Sequence, residues 1–422
     1  MQQGQHNSRR KLPSGGTSWE EISAALSNAK KDDFSWRDGR IPLYVYFRDQ
    51  ELLNVSRDAY MLFFSENALG KRAFPSLTKL ESDVIEMALD LFNAGPGAGG
   101  SFTSGGTESI FLALKTARDW ARANRPDIKR PVAVLPESAH AAFNKAGHYL
   151  NVDIVRVPVG QSFRADIAAM ADAITDQTIF IAGSAPGYPH GVFDPIEELG
   201  QLALEKDVWL HIDACFGGFL APFARRIRQD VPAFDFQVPG VRSLSADIHK
   251  YGYGAKGASV VLYADAGLKA YQGFEFRDWP RGYYATETFP GTRPGGAIAS
   301  AWAVMNYLGH AGYMDIARTI MDAKDRLVAG VNAIDGLCVV EPSDLCIVLY
   351  HSIDPAIDIN AIADMLLQRG WFVGRSVRPE AIHLALNTVH APVVNDYLAD
   401  LRDAVEEVRA KRKVGQMDEC TY

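Results

Sequence analysis

The feature that most constrains the fold of this chain is an alternation of short apolar runs with helical patterns, which begins near residue 80. Six apolar runs predict strands, at 131–136, 153–159, 179–185, 208–213, 241–246 and 258–263. Helical spacing of apolar residues predicts helices at 80–93, 108–124, 139–149, 165–174 and 195–206. This alternation is typical of βαβ units, so we predict an α/β fold with a mostly parallel sheet. Ligands of such sheets bind beyond the carboxyl ends of the strands.

The chain has 422 residues, which is too long for one ordinary core and predicts more than one lobe. We predict a partly flexible N-terminal extension with dimer contacts at 1–65, a large α/β domain at 66–312 and a smaller α+β domain at 313–422. The smaller domain rests on a set of shorter patterns. Helices are predicted at 297–307, 313–332, 360–369 and 393–413, and strands at 337–341, 345–350, 371–374 and 382–386.

Composition excludes several classes of protein. The net charge of −8 argues against a nucleic-acid partner, because phosphate contacts need clustered basic residues. No apolar run approaches the roughly 20 residues of a membrane span, and the N-terminus lacks the apolar core of a secretory signal. The four cysteines are far apart and form no CxxC pair, which predicts reduced thiols in a cytoplasmic protein and no metal site: Cys215, Cys338, Cys346 and Cys420.

Two glycine-rich segments are candidates for binding a phosphate. Residues 95–100, GPGAGG, match GxGxxG, but they follow a predicted helix rather than a strand, so we reject a dinucleotide fingerprint. The segment Ser104-Gly105-Gly106-Thr107 leads directly into a predicted helix. Unpaired N–H groups and the helix dipole favour an anion there, with the Thr107 hydroxyl as a further donor. The alternative is an ordinary helix cap.

Four further side chains occupy positions where chemistry is expected. Asp213 ends a predicted strand, and His140 lies on a predicted short helix that follows a strand. Lys250 and Lys256 lie six residues apart in SADIHKYGYGAKG, between two predicted strands. Each has a structural alternative, because aspartates cap turns, lone histidines are often buried in cores and lysines are usually solvated. A lysine becomes a nucleophile when burial or a neighbouring cation favours its neutral form.

Together these residues match the needs of one cofactor, pyridoxal 5′-phosphate. A helix N-terminus can hold its phosphate, an aspartate can keep its pyridine nitrogen protonated, and a lysine can form a Schiff base with its aldehyde. The protonated ring then accepts electrons from a bond broken at the α-carbon of the substrate. The order of the three elements along the chain is residues 105–107, then Asp213, then Lys250.

Six segments carry a resemblance to a known family. The chain resembles fold-type I pyridoxal-phosphate enzymes, which have the aspartate-aminotransferase-like fold, and within them the group II decarboxylase-like branch. It is most similar to the sphingosine-1-phosphate lyases of the soluble bacterial kind, over about residues 39–410. The matching segments are TSGGTESI, PESAHAAFNKAGHY, GSAPGYPHGVFDPIEEL, HIDACFGGF, SADIHKYGYGAKGASVVLY and GTRPGGAIASAW. The resemblance implies a cytoplasmic enzyme of sphingolipid metabolism.

The resemblance also implies roles for the residues around the cofactor. Lys250 forms the Schiff base, His140 stacks on the ring and Asp213 pairs with the ring nitrogen. The phosphate is bound by residues 105–107, that is Gly105, Gly106 and Thr107, together with His249. The residues matching Gly291 and Thr292 reach the same phosphate from the neighbouring subunit, which implies a homodimer with shared active sites. Under this interpretation His249 and Lys256 are cationic neighbours of Lys250, which lower the pKa of its amine.

The resemblance also implies two residues that contact the substrate, and at one position this chain differs from the family in a way that bears on the substrate. Lys256 corresponds to a lysine near the substrate phosphate or the reacting groups, and Tyr46 to a tyrosine that reaches the substrate from the partner chain. The family carries a histidine in a segment like N-P-L-H, where this chain has Asn67-Ala68-Leu69-Gly70. Because Gly70 has no side chain to bind a phosphate, the resemblance leaves open whether the substrate must be phosphorylated.

Three functions are compatible with these features. The first is cleavage of a carbon–carbon bond in a 2-amino-3-hydroxy substrate, which for a long-chain base phosphate yields a fatty aldehyde and phosphoethanolamine. Lys256, Tyr46 or a water is then the base that takes the proton of the 3-hydroxyl. The second is decarboxylation of an amino acid on the same scaffold. The third is a non-catalytic dimeric binding module, against which the presence of Lys250, Asp213 and His140 argues.

Overall fold

The computed structural model describes residues 9–415 of the chain. Cys420 and the first eight residues of the predicted flexible tail lie outside the described residues. Of the described residues, those up to Ser35 belong to one compact unit, and Trp36 begins a second. The first unit contains helix α1, Trp19–Ala29, which begins where the Ser18 hydroxyl accepts a hydrogen bond from the N–H of Glu21 at 3.2 Å. Such N-capping satisfies a donor that has no partner within the helix.

The second unit contains the remaining helices and all strands of the described part of the chain. The helices are α2 Gln50–Leu62, α3 Pro75–Leu91, α4 Gly106–Asn124, α5 Ala142–Leu150, α6 Ile167–Ala173, α7 Ile196–Lys206, α8 Ala221–Ile227, α9 Ala266–Lys269, α10 Gly295–Asn332, α11 Ile359–Gln368 and α12 Val394–Lys411, with a 3₁₀ helix at Thr388–Val393. The strands are β1 Gly99–Thr103, β2 Val132–Pro136, β3 Asp153–Val157, β4 Thr178–Ser184, β5 Trp209–Asp213, β6 Val241–Ala246, β7 Ser259–Tyr263, β8 Phe274–Phe276, β9 Tyr284–Thr286, β10 Leu337–Val339, β11 Ile347–Ser352, β12 Gly374–Val377 and β13 Glu380–Ala385.

The centre of the second unit is a seven-stranded sheet in the order β1-β7-β6-β5-β4-β2-β3. The pairs from β6 to β3 are parallel, and β7 runs antiparallel to both β6 and β1. Strands β4, β5 and β7 are buried along their whole length, as expected for a sheet covered by helices on both faces. The predicted α/β fold with a mostly parallel sheet is therefore confirmed, and β2, β5 and β6 end at the same edge.

One strand of this sheet is not predicted by the sequence pattern. The pattern indicates a glycine-rich connection at 94–106, yet Gly99–Thr103 forms β1 and pairs with β7. Glycine is unfavourable in strands, so the local pattern gives no signal. Its small size is required here, because a Cβ on Gly100 would lie 2.4 Å from Leu262 Cδ2. Helix α4 is thus preceded by a strand and a short turn, although the GPGAGG glycines themselves lie before and at the start of β1.

The C-terminal part of the chain has a second sheet, of four antiparallel strands in the order β10-β11-β13-β12. Helix α10 replaces two predicted helices and contains a non-helical residue, Gly309, with φ of 53°. The predicted division at residue 312 lies close to this break, and the three-part domain division stays a prediction. A two-stranded hairpin, β8–β9, is a further element that the sequence pattern does not predict. Within the described residues, no helix combines the length and apolarity that crossing a membrane requires.

Candidate active site

Three segments of the second unit meet at the carboxyl edge of the large sheet. They are the N-terminus of α4, the turn after β5 and the loop after β6. A Cβ on Gly106 would lie 2.9 Å from both Asp247 Oδ2 and Cys215 Sγ, and one on Gly105 would lie 3.7 Å from His249 Cε1. The backbone of α4 therefore approaches the other two segments so closely that only glycine fits at position 106 without a shift. The structure therefore brings the predicted phosphate-binding residues 105–107 close to the loop that contains Lys250.

Lys250 lies inside this cluster. Its side chain is only 19% exposed, and its Nζ lies 2.9 Å from Asp247 Oδ2. The same Nζ is 5.8 Å from the centre of the ring of Phe216, which lies in the turn after β5. A buried ammonium needs a charge partner, and Asp247 supplies it. The amine is therefore held toward the turn that carries Asp213 rather than exposed to solvent.

Asp213 is the last residue of β5 and is 7% exposed. Its Oδ1 accepts a hydrogen bond from the N–H of Cys215 at 3.1 Å, which fixes the carboxylate at the start of the turn. The charges of Asp213 and Lys250 both act on His140, with opposite effects on the pKa of that histidine. The structure thus places the predicted nucleophile, carboxylate and histidine within electrostatic reach of one another.

His140 lies in the loop after β2 and not on a helix, because α5 begins at Ala142. Its Nδ1 accepts a hydrogen bond from the N–H of Ala142 at 3.0 Å. Burial lowers the pKa of His140; the charge of Asp213 opposes this effect and that of Lys250 adds to it. The ring is therefore neutral at neutral pH, which suits a residue that stacks on an aromatic cofactor.

Arg156 on β3 supports the loop of His140, although the sequence pattern does not single it out. Its guanidinium donates hydrogen bonds to the carbonyl oxygens of Pro136 at 3.0 Å, Ala139 at 2.6 Å and His140 at 3.3 Å. Pro136 ends β2, and Ala139 and His140 lie in the loop that follows, so the arginine ties the end of the strand to that loop. A single arginine in a strand pattern gives no sign of this role, because its partners lie about 16 to 20 residues away.

His249 is held by its backbone neighbours. Its Nδ1 pairs with the carbonyl oxygen of Ala258 at 2.8 Å, and its Nε2 lies 3.5 Å from Asp247 Oδ2. Burial lowers the pKa of His249, against the opposing effect of Asp247. The neutral ring then donates from Nδ1 to Ala258, so Nε2 can donate to a phosphate only in the protonated form. The sequence interpretation of His249 as a cationic neighbour of Lys250 is therefore wrong.

Lys256 lies on the outer side of the same loop. Its Nζ donates hydrogen bonds to the carbonyl oxygens of Tyr44 at 2.9 Å and His249 at 3.4 Å, and lies 5.2 Å from the centre of the Tyr46 ring. Although the residue as a whole is exposed, the surrounding protein removes water from the ammonium. This desolvation, with a smaller effect of the Lys250 charge, lowers the pKa of Lys256 to about 8.

Tyr46 packs within its own chain. Its ring meets the ring of Tyr251 edge to face at 4.9 Å, and the ammonium of Lys256 lies over it. The structure thus places Tyr46 against Tyr251 and the ammonium of Lys256 of the same chain. The interpretation of Tyr46 as a residue that serves the partner's site stays a prediction.

Gly291 and Thr292 lie beside a different set of residues. The side-chain amide of Asn67 donates a hydrogen bond to Thr292 Oγ1 at 3.2 Å, and a Cβ on Gly291 would lie 3.1 Å from Tyr284 Oη. Gly291 also lines a cavity of about 930 Å³ together with Gly70. The segment of Gly291 and Thr292, which the resemblance assigns to the partner's site, is therefore a spatial neighbour of the segment of Gly70, which the resemblance relates to the substrate.

Two acidic residues of the site are missed by the sequence interpretation. Asp247 is 2% exposed and pairs with Lys250, as described above. Glu108, in the first turn of α4, accepts hydrogen bonds from Ser104 N–H at 2.7 Å, Ser104 Oγ at 2.6 Å and Phe289 N–H at 2.8 Å. Its carboxylate thus fastens the turn before α4 to the segment near Gly291. The spacing of Asp247 three residues before Lys250 is the signal that could have identified it.

These residues fit pyridoxal 5′-phosphate. Gly105 is the N-cap residue of α4, and among the described residues no side chain accepts a capping hydrogen bond there. The first N–H groups of α4 are therefore open to an anion such as a phosphate. The buried Asp213 supplies a carboxylate for a protonated nitrogen, the neutral His140 an aromatic face and Lys250 an amine. Asp247 Oδ1 is buried without a hydrogen-bond partner within the described chain, so this oxygen can accept a hydrogen bond from a group that the chain does not supply.

Comparison with known proteins supports the same assignment. Residues 59–348 match the family described as the pyridoxal-dependent decarboxylase conserved domain. The chain is 41% identical over 398 residues to sphingosine-1-phosphate lyase of Arabidopsis thaliana, covering 92% of this chain and 72% of the relative. It is 35% identical over 336 residues to a probable L-tyrosine/L-aspartate decarboxylase of Methanothermobacter thermautotrophicus, covering 79% of this chain and 88% of the relative.

A solved structure extends the similarity to the whole fold. Sphingosine-1-phosphate lyase of Burkholderia pseudomallei superposes with a TM-score of 0.91 at 36% identity, over 96% of this chain and 95% of the other. The fold and the site therefore define a pyridoxal-phosphate-dependent lyase of the fold-type I class, and its cofactor is pyridoxal 5′-phosphate. Within that class the chain belongs to the sphingosine-1-phosphate lyase branch of the pyridoxal-dependent decarboxylase family.

Proposed function

We propose that this enzyme cleaves the bond between C2 and C3 of a phosphorylated long-chain 2-amino-3-hydroxy base, releasing a fatty aldehyde and phosphoethanolamine. The observation that carries the proposal is the 41% identity to a sphingosine-1-phosphate lyase together with the intact cluster of Lys250, Asp213 and His140. When bound, pyridoxal phosphate supplies the electron sink for a bond broken at the α-carbon. The residues of the chain position that bond and move the protons.

Each residue of the cluster has a distinct task in this reaction. Lys250 binds the cofactor aldehyde and yields to the amine of the substrate. The carboxylate of Asp213 keeps a proton on the ring nitrogen, and His140 holds the ring by its face. Lys256, whose pKa is about 8, takes the proton of the substrate 3-hydroxyl as the C2–C3 bond breaks. A base is most effective when its pKa lies near the working pH, which favours Lys256 over Tyr46 and water.

Product analysis tests the proposal. Purified enzyme with cofactor and sphingosine 1-phosphate is expected to release a long-chain aldehyde and phosphoethanolamine in equal amounts, without CO₂. The second candidate, amino-acid decarboxylation, is supported by the 35% identity to a probable decarboxylase. Release of CO₂ from tyrosine or aspartate, with no aldehyde from the lipid, would replace the proposal with that function. A parallel assay with unphosphorylated sphingosine measures the effect of having Gly70 where the family has histidine.

The pH dependence of turnover tests the role of Lys256. Because the base must be neutral, kcat is expected to rise with pH and level off above about 8, the pKa of Lys256. Lys256→Arg keeps the positive charge but stays protonated throughout, so kcat should fall by about 10²-fold or more and the rising limb near pH 8 should disappear. The control is Lys79→Arg, because Lys79 is an exposed lysine that forms a salt bridge with Asp83. If kcat of Lys256→Arg still rose with pH near pH 8, the proton transfer would have to be assigned to another group.

We further propose that two copies of the chain form a homodimer with shared active sites. Exposed aromatic side chains surround the segment that contains Gly291; Phe289 is 73% exposed and Phe274 57%. Apolar surface of this kind is typical of interfaces. Gly70 and Gly291 line one cavity, so a partner subunit that entered this face would meet both segments. We propose that a second copy of this chain covers this face. In the family that the chain resembles, the segment matching Gly291-Thr292 contacts the cofactor phosphate of the neighbouring subunit.

Mixing two inactive variants tests the shared site. Gly291→Trp blocks the segment that would serve the partner, and Lys250→Ala removes the nucleophile. If sites are shared, co-refolded or co-expressed mixtures should regain up to about a quarter of wild-type activity, because half of the dimers are mixed and each has one intact site. Each variant alone is the control. A mixture as inactive as its parts would show that each site is built from one chain.

A further inference from the structure

Asp247 is a buried carboxylate to which none of the functions above gives a task. It is the first residue after β6, is 2% exposed and lies with Oδ2 2.9 Å from Lys250 Nζ and 3.5 Å from His249 Nε2. A Cβ on Gly106 would lie 2.9 Å from its Oδ2 and 3.0 Å from its Oδ1. The carboxylate thus stands between the amine of the site and the first turn of α4.

The burial of this group is costly and needs a compensating interaction. A carboxylate removed from water is stable only when it is paired or hydrogen-bonded. Asp247 Oδ1 has no hydrogen-bond partner within the described part of the chain. The contact of Oδ2 with Lys250 Nζ is therefore the main compensation, and it is a charge-assisted hydrogen bond at a short distance.

The groups that face Asp247 from all three segments fix its charge. Burial by itself would raise the pKa of Asp247, but the neighbouring charge of Lys250 is the largest of the effects that lower it, and the pKa falls below its usual range. Burial raises the pKa of the Cys215 thiol far above its ordinary value, so that neighbour is neutral. Besides Lys250, the titratable and charged groups near Asp247 are Lys256, His249, His140, Asp213 and Cys215. Asp247 is thus ionised beside an ammonium.

The amine of Lys250 exists in two states during the reaction that the family performs. In one state Lys250 is bonded to the cofactor, and in the other it has been released by the amine of the substrate. Only the released state makes Lys250 a primary ammonium. Asp247 Oδ2 lies 2.9 Å from Lys250 Nζ, so this carboxylate is within hydrogen-bond reach of the amine once the amine is released.

We propose that Asp247 is the positioning residue that receives Lys250 as an ammonium each time an incoming amine displaces it. In the exchange Lys250 would give up its C–N bond to the cofactor, and the nitrogen of the incoming amine would form the new C–N bond in its place. The proton that this amine carries as an ammonium ends on Lys250 Nζ, so charge and hydrogen are conserved. The ion pair with Asp247 stabilises the released ammonium and keeps it from attacking the cofactor again.

Displacement by a simple amine tests this role without depending on the proposed lyase function. Ethanolamine has no 3-hydroxyl and no carboxylate, so a lyase or a decarboxylase would neither cleave nor decarboxylate it. Holoenzyme is equilibrated with increasing ethanolamine, reduced with borohydride and digested, and mass spectrometry gives the fraction of cofactor still attached to Lys250. Asp247→Asn keeps the shape of the side chain without its charge. Failure of the lipid assay would refute the lyase function and leave this measurement valid.

The expected result is a shift in the displacement curve. Asp247→Asn should need at least about tenfold more ethanolamine for half-displacement, because the released ammonium loses its charged hydrogen-bond partner. Asp247→Glu, which restores the charge, should return part of the shift. Asp235→Asn, at another buried carboxylate, should behave as wild type. An unchanged or lower half-displacing concentration in Asp247→Asn would overturn the proposal.

A second measurement needs no variant and applies even if Asp247→Asn does not fold. The cofactor-free wild-type chain is acetylated briefly at pH 8, and mass spectrometry compares Lys250 with Lys256. Only neutral amines react, so the ammonium paired with Asp247 should be acetylated at least several-fold more slowly than Lys256, whose pKa is about 8. Faster acetylation of Lys250 than of Lys256 would contradict the ion pair on which the proposal rests.

Discussion

Replacing Lys250 with alanine is expected to lower turnover by about 10⁴-fold or more, the largest effect of any single substitution in this chain. The reason is that Lys250 has two tasks, which are to bond the cofactor aldehyde and to yield to the incoming amine. Steady-state assays of the purified variant measure the loss.

The same variant should still bind the cofactor. The α4 N-terminus, Asp213 and His140 are untouched by Lys250→Ala, so equilibrium dialysis should find cofactor bound while the absorbance band of the lysine-linked form is absent. This combination distinguishes loss of the nucleophile from loss of the fold. A variant that kept more than about one-hundredth of wild-type turnover would show that Lys250 is not the covalent residue.

Replacing Asp213 with alanine is expected to give the next largest loss, about 10²- to 10³-fold in kcat. Asp213 is buried at the end of β5 and fixed by the N–H of Cys215, so its charge is preorganised and not shared with solvent. Without that carboxylate the ring nitrogen loses its proton, and the electron pair of the breaking bond has no stable destination. The measurement is kcat at saturating substrate with the cofactor content verified for each preparation.

The effect of Asp213→Ala should be confined to the chemical step. Borohydride should still fix the cofactor to Lys250 in this variant, because the amine and its partner Asp247 are unchanged. Asp213→Asn should resemble Asp213→Ala, since an amide cannot hold the proton on the nitrogen. Turnover within a few-fold of wild type in either variant would remove Asp213 from its assigned role.

The sequence was sufficient to predict the parts of the fold whose patterns are local. The strands from β2 to β7 are short apolar runs, and their predicted bounds agree with the structure within two residues. Asp213 and Lys250 were identifiable because each directly follows or lies near a strand end, where ligands of parallel sheets bind. The glycines before α4 were identifiable because small residues at a helix N-terminus leave its N–H groups open to an anion.

What the sequence could not supply depends on contacts between distant segments. Strand β1 was missed because its first two residues are glycines, whose value lies in close packing against Leu262. Arg156 supports the His140 loop from another strand, and Glu108 joins the α4 turn to Phe289, 181 residues away. The neutral state of His249 follows from its burial and its bond to Ala258, neither of which a sequence pattern displays.

The most direct test of the central claim is to locate the covalent bond between protein and cofactor. The purified holoenzyme is reduced with borohydride, digested and mapped by mass spectrometry, with a sample reduced after removal of the cofactor as control. We expect the reduced cofactor on Lys250, in an amount stoichiometric with active sites. Attachment to Lys256 or to another lysine, with Lys250 unmodified, would contradict the assignment of Lys250 as the covalent residue.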